Sequence, residues 1–110
     1  VDARAQLEEY LAGRRREFDL ELDLAGTAFQ QRAWLALTEI PYGDTRTYAE
    51  QASRLGLPRG ARAVGSANAR NPLPIVVPCH RLVGASGKLT GYAGGLDRKE
   101  RLLRLEGARS

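Results

Sequence analysis

The sequence predicts an α+β domain, mainly helical: a winged helix-turn-helix-like DNA-binding fold with a short wing hairpin. Three observations point there. Two short helical stretches, 48–55 and 61–69, are joined by a tight turn containing Gly56 and Gly60. A hairpin pattern follows, with Leu82-Val83 and Lys88-Leu89-Thr90 flanking the turn Gly84-Ala85-Ser86-Gly87. Residues 51–96 carry six lysines and arginines and no acid, whereas residues 1–50 carry ten acids against six basic residues. An acid-free basic half is what a polyanion-facing surface needs, although an arginine-rich composition with solvated charges gives the same count.

In chain order, residues 3–12 place Ala3, Leu7, Tyr10 and Leu11 on one helical face, and Gly13 is a natural stop. Phe18, Leu20, Leu22 and Leu24 alternate with Asp19, Glu21 and Asp23, which predicts a half-buried strand with an acidic outer face. Thr27 with Gln30 forms a capping box opening a helix that buries Phe29, Ala33, Trp34 and Leu37 and ends before Pro41. Thr47 with Glu50 is a second box, opening the helix that Gly56 stops. The following helix is nearly bare, with Ala61, Ala63, Gly65, Ser66, Ala67 and Ala69 between Arg62, Val64, Asn68 and Arg70. It suits close approach to another surface; burial against a neighbouring element explains the same composition. Asn71-Pro72-Leu73-Pro74 is a rigid turn leading into a strand at Ile75–Val77. Gly91-Tyr92-Ala93-Gly94-Gly95 is a glycine-rich loop without P-loop spacing. Asp97 with Glu100 reads as a third capping box, with Leu102, Leu103 and Leu105 facing inward.

The 110 residues have room for one modest core, and 43% hydrophobic with 27% charged residues excludes disorder as the default. No apolar run approaches the roughly 20 residues of a membrane span, so no membrane partner is expected. A single cysteine excludes an internal disulfide, and a cytoplasmic setting is the simplest expectation. Because the chain begins at Val1 and contains no methionine, residues 1–26 are expected to be the remnant helix and strand of an N-terminal domain or linker. Residues 27–110 are then the winged-helix-like domain proper.

Cys79 and His80 are the chain's only thiol and only imidazole, and they are adjacent. Cationic neighbours or a base lower a thiol's pKa from about 8.5 and make it nucleophilic. On an extended chain, however, neighbouring side chains point to opposite faces, so His80 would need a turn or a bridging water to act on the sulfur. The candidate carboxylates for its other nitrogen are Asp97, Glu100 and Glu106. One cysteine and one histidine fall short of a zinc ligand set, so no metal or cofactor is expected. An inert core cysteine remains the competing reading.

Pro78-Cys79-His80-Arg81 after Ile75-Val76-Val77 resembles the active-site signature of the O6-alkylguanine-DNA alkyltransferases, also called methylated-DNA–protein-cysteine methyltransferases. The resemblance extends in order through Gly26-Thr27, Phe29-Gln30, Ile40-Pro41-Tyr42-Gly43, Thr47-Tyr48, Ala61-Arg62-Ala63-Val64-Gly65, Asn71-Pro72, Gly91-Tyr92, Gly94-Gly95-Leu96 and Leu105-Glu106-Gly107. It implies irreversible, single-use transfer of an alkyl group from flipped-out O6-alkylguanine in double-stranded DNA to Cys79. His80 would be the water-mediated base, Glu106 its orienting partner, Asn71 the brace of the active-site turn and Tyr92 a proton donor to the leaving guanine. Arg62 would fill the gap left by the flipped nucleotide, and Tyr48 would push the flanking phosphate. Ala61, Gly65, Ser66, Asn68 and Arg70, with Thr47, would complete the DNA surface, the bare helix lying in the minor groove. Ala93 stands where some members carry serine. The resemblance also implies a monomer that is nucleoid-associated through its DNA. The alternatives are a non-catalytic sensor of alkylated DNA, against which Cys79 argues, and a winged-helix regulator with a structural cysteine.

Overall fold

Thr27 and Thr47 each start a helix by the same device. The threonine hydroxyl accepts the backbone N–H three residues on, and the side chain at that position (Gln30 or Glu50) accepts the threonine's own N–H. The computed structural model describes residues 3–89, 92 and 95–108. Among these the elements are α1 (Ala3–Leu11), α2 (Ala28–Leu37), β1 (Arg46–Thr47), α3 (Tyr48–Arg54), α4 (Ala61–Ala69), β2 (Leu82–Val83) and α5 (Leu96–Leu105). Short 3-10 turns occupy Cys79–Arg81 and Ala85–Gly87. The chain is helical α+β, and α3 and α4 form the helix-turn-helix.

One cluster organises the interior: Trp34, Leu37, Ile40, Ala52, Val64, Val77, Cys79 and Leu82. Trp34 spans it. Its ring is 2% exposed, and its indole N–H donates to Ala67 O at 2.8 Å, joining α2 to α4. The small residues of α4 divide by face. Val64 and Ala67 point inward, while Arg62, Ala63, Ser66, Ala69 and Arg70 are exposed.

Several expectations are corrected. Residues 18–24 keep the predicted alternation of half-buried leucines and exposed acids but form no strand, because no described segment hydrogen-bonds alongside them. In α1 the buried residues are Gln6 and Tyr10, while Leu11 is 56% exposed. Gln6 tolerates burial because its amide exchanges hydrogen bonds with both backbone groups of Asp19, at 3.0 and 2.8 Å. Ile75–Val77 is a tight loop rather than a strand, closed by Val77 N–H to Leu73 O at 3.0 Å, with Ile75 at φ 77°.

Among the described residues no antiparallel ladder flanks the turn of the wing. Leu82 and Val83 pair in parallel with Arg46 and Thr47, and the 84–88 turn closes through Gly84 N–H to Lys88 O at 2.7 Å. The third capping box is also absent. Leu96 already lies in the helix, so the cap position falls to Gly95, and Asp97 sits in the first turn. Thr90, Gly91, Ala93 and Gly94 lie outside the described residues, so the hairpin's last residue and most of the glycine-rich loop do too.

Gly26 lies against the Trp34 ring, where an added Cβ would come within 2.6 Å of Cη2. We expect Gly26→Ala to lower stability by about 1–3 kcal/mol in chemical denaturation, the usual range for overpacking.

Candidate active site

The segment 71–81 places the thiol. Asn71 braces it with both ends of its amide, accepting from Leu73 N–H at 2.9 Å and donating to Val77 O at 2.7 Å. These bonds hold Ile75 in the left-handed region, which a β-branched residue adopts at a cost of about 1–3 kcal/mol. The 3-10 turn then sends Cys79, His80 and Arg81 in different directions, although they are consecutive. Asn68 Nδ2 donates to Cys79 O at 3.3 Å from beneath.

Cys79 is 4% exposed and belongs to the core cluster, yet it also lines a cavity of about 350 Å³ with Asn68, Asn71, Ile75, Tyr92 and Arg98. Burial pushes its thiol pKa up, against smaller opposing effects from hydrogen bonds with Asn71 and Tyr92 and from the charge of Lys99. The resting group is therefore a protonated thiol. Tyr92 is pushed up to about 12 by burial and by the neighbouring Cys79, so its hydroxyl keeps its proton at neutral pH.

Behind the thiol, His80 is fully buried, with Nε2 2.9 Å from Glu106 Oε2. Burial alone would raise the Glu106 pKa, but hydrogen bonds from His80 and Arg81 dominate and hold it at about 2. Glu106 is thus a carboxylate and acceptor, which assigns the proton to Nε2 of His80. Nδ1 is then the nitrogen able to take a proton, and it has no hydrogen-bond partner among the described residues.

Arg81 completes the carboxylate's surroundings. Its Nε donates to Oε1 at 2.9 Å and its Nη2 to Oε2 at 2.8 Å, while Nη1 reaches Ile40 O at 2.7 Å. Tyr10 of α1 donates to Oε2 as well.

The structure thus gathers Cys79, Asn71 and Tyr92 at the cavity and His80 and Glu106 behind it. Of the expected DNA-facing residues, Arg62, Ser66 and Arg70 are exposed on α4, and Ala61 and Gly65 are half-buried. Tyr48 packs beside Gly65, with the Lys99 ammonium 5.8 Å from its ring centroid. Thr47 spends its hydroxyl on the α3 cap. Asn68 is a correction. It is 5% exposed and turned toward Cys79, off the exposed face of α4 that carries Arg62.

Sequence reasoning missed three side chains: Arg81, Lys99 and Tyr10. Arg81 and Lys99 are buried cations of residue types that are usually solvated, and the sequence carries no local sign of their burial. Tyr10 did carry a signal, since an inward tyrosine hydroxyl needs a partner. Among the described residues no group of three or more His, Cys, Asp or Glu could hold a metal ion, and no helix is long and apolar enough to cross a membrane.

A carboxyl held below its unfolded value stabilises the fold above that value and loses the contribution as pH falls through the folded one. With Glu106 moving from 4.5 to about 2, we expect about 3 kcal/mol of stability to disappear between these pH values. Denaturation midpoints measured from pH 7 down to 2 check this.

Residues 28–108 match the family described as 6-O-methylguanine DNA methyltransferase, DNA binding domain. The chain is 62% identical over 105 residues to the methylated-DNA–protein-cysteine methyltransferase of Mycobacterium tuberculosis, covering 96% of this chain and 64% of that protein. It is 60% identical over 107 residues to the Methanosarcina acetivorans protein of the same name, covering 97% and 69%. The solved structure of M. tuberculosis OGT in complex with DNA superposes with a TM-score of 0.93 at 61% identity, covering 98% of this chain and 66% of that one. The chain therefore spans somewhat less than two thirds of the first relative's length, and over that span it belongs to the 6-O-methylguanine DNA methyltransferase family.

Proposed function

We propose that this protein repairs double-stranded DNA by transferring the alkyl group of O6-alkylguanine to its own Cys79, once and irreversibly. The observation that carries the reading is a buried, protonated thiol at the wall of a base-sized cavity, with a histidine–carboxylate pair behind it. O6 of guanine is inaccessible inside the base stack, so the nucleotide must be extruded into that cavity. Arg62, projecting from the exposed small-residue face of α4, fills the gap left in the duplex, and Tyr48 pushes the flanking phosphate. Ser66 and Arg70 share the exposed face with Arg62, while Ala61, Gly65 and Thr47 line its edge. Phosphate contacts of this kind give sequence-independent affinity, which suits a lesion that occurs at any guanine. The place of action follows the DNA, in the cytoplasm and on the nucleoid.

In the chemical step the Cys79 proton passes to His80 Nδ1 through a bridging water as sulfur attacks the alkyl carbon. The carbon–O6 bond breaks with its electron pair on the guanine, and Tyr92 supplies the proton that neutralises the base. Imidazolium formed at His80 is stabilised by Glu106 through the 2.9 Å contact, and its proton returns to Tyr92. The product thioether has no hydrolytic exit, so the protein is spent.

The decisive experiment is intact-mass measurement after mixing the protein with a duplex containing O6-methylguanine. One added methyl group, mapped to Cys79 and abolished in Cys79→Ser, supports transfer. Tight lesion binding without mass gain identifies a sensor, and no preference for the lesion identifies a DNA-binding regulator. In addition, Arg62→Ala should slow reaction on duplex DNA at least tenfold more than reaction with a free O6-alkylated guanine base. Equal losses on both substrates count against the gap-filling role.

A further inference from the structure

Glu106 caps the C-terminal end of α5, and its two oxygens are fully enclosed. Four hydrogen bonds reach them. Arg81 supplies two and His80 one, all from the 79–81 turn. The fourth donor is the hydroxyl of Tyr10, 96 residues away in sequence and on α1. Helix α1 lies outside residues 28–108, the span that matches the family's DNA-binding domain.

Tyr10 is itself well placed to hold a fixed position. It is 0% exposed, its ring meets Tyr42 edge-on at 6.1 Å between centroids, and Phe18 lies tilted against it at 5.5 Å. Tyr42 is tied down in turn, donating its hydroxyl to Leu105 O at 3.2 Å, next to Glu106. The next residue of α1, Leu11, lines the cavity that holds Cys79. Two successive residues of α1 thus touch the two halves of the site.

We propose that Tyr10 is a positioning residue: its hydroxyl fixes the Glu106 oxygen that orients His80, so that α1 is part of the machinery that activates Cys79. This rests on the proposed reading of Cys79 and His80. Oε2 is shared by Tyr10, His80 and Arg81 Nη2. The Arg81 fork alone fixes the carboxylate in the guanidinium plane but leaves it free to hinge out of that plane. The Tyr10 donor, held by its ring contacts, removes that freedom and leaves one direction on Oε2 for His80. Without it Oε2 keeps His80 and Arg81 Nη2 but loses its one donor from outside the 79–81 turn, and the carboxylate is free to shift with that turn. His80 then loses its fixed ring orientation, and Nδ1 is no longer aimed for proton transfer.

Single-use chemistry separates positioning from folding cleanly. In a progress curve with the duplex the amplitude counts folded, reactive molecules; iodoacetamide also labels the exposed thiol of unfolded chains, so the rate constant of the folded fraction is what reports the site. Cys79 alkylation in Tyr10→Phe is measured with two probes, iodoacetamide and the O6-methylguanine duplex, with Phe18→Leu as the control that loosens the same packing without touching Glu106. We expect the Tyr10→Phe rate constant with iodoacetamide to fall about tenfold at one label per molecule, and Phe18→Leu to stay within twofold of the parent. Equal or faster iodoacetamide labelling in Tyr10→Phe overturns the proposal whatever happens on DNA, as does equal slowing in Phe18→Leu. Failure of the parent protein to accept methyl from DNA, with the iodoacetamide effect intact, removes the DNA reading and leaves Tyr10's role standing.

Discussion

Glu106 receives hydrogen bonds from a tyrosine, a histidine and both sides of an arginine fork, and through them it connects parts of the chain that no ladder or helix joins. A carboxylate taken out of water costs several kcal/mol unless charge and hydrogen bonds compensate it. Here Arg81 provides the charge, and the same guanidinium reaches on to Ile40 O in the turn that follows α2. The geometry of the 79–81 turn therefore depends on this one group. Removing either partner of the Arg81–Glu106 pair strands a buried charge, a change that costs about 3–5 kcal/mol in comparable settings.

The position of Cys79 expresses a compromise between packing and reactivity. As a core residue beside Val77 and Leu82 it contributes to the fold. As a wall of the cavity it meets whatever enters. Desolvation keeps the thiol protonated and so shields it from stray electrophiles, and under the proposed function His80 Nδ1 takes that proton only when a reaction begins. Reactivity on demand is what the proposed single-use transfer requires.

Signals that act within three or four residues were legible in the sequence. Both threonine capping boxes, the two helices of the helix-turn-helix and the bare outer face of α4 follow from local hydrogen bonding and side-chain size. The cysteine–histidine pair was legible as a candidate site but not as geometry, because only the 3-10 turn separates their directions. Expectations that needed a distant partner fared worse. Residues 18–24 have the alternation of a strand, but alternation sets faces and does not provide a neighbour. Leu82 and Val83 did find a partner strand, in Arg46 and Thr47 rather than across the adjacent turn. Asp97 matched a capping pattern that the earlier helix start at Leu96 made unusable. The inward turn of Arg81 and Lys99 has no local cause at all, since their partners are supplied by other elements.

The two-residue ladder between β1 and β2 has a consequence out of proportion to its length. Thr47 both caps α3 and pairs with Val83, and Leu82, paired with Arg46, directly follows the reactive turn. The start of the helix pair and the end of the thiol's turn are thereby clamped in one jig. On the proposed DNA-binding role, the seating of α3 and α4 therefore also sets the sulfur's line of approach.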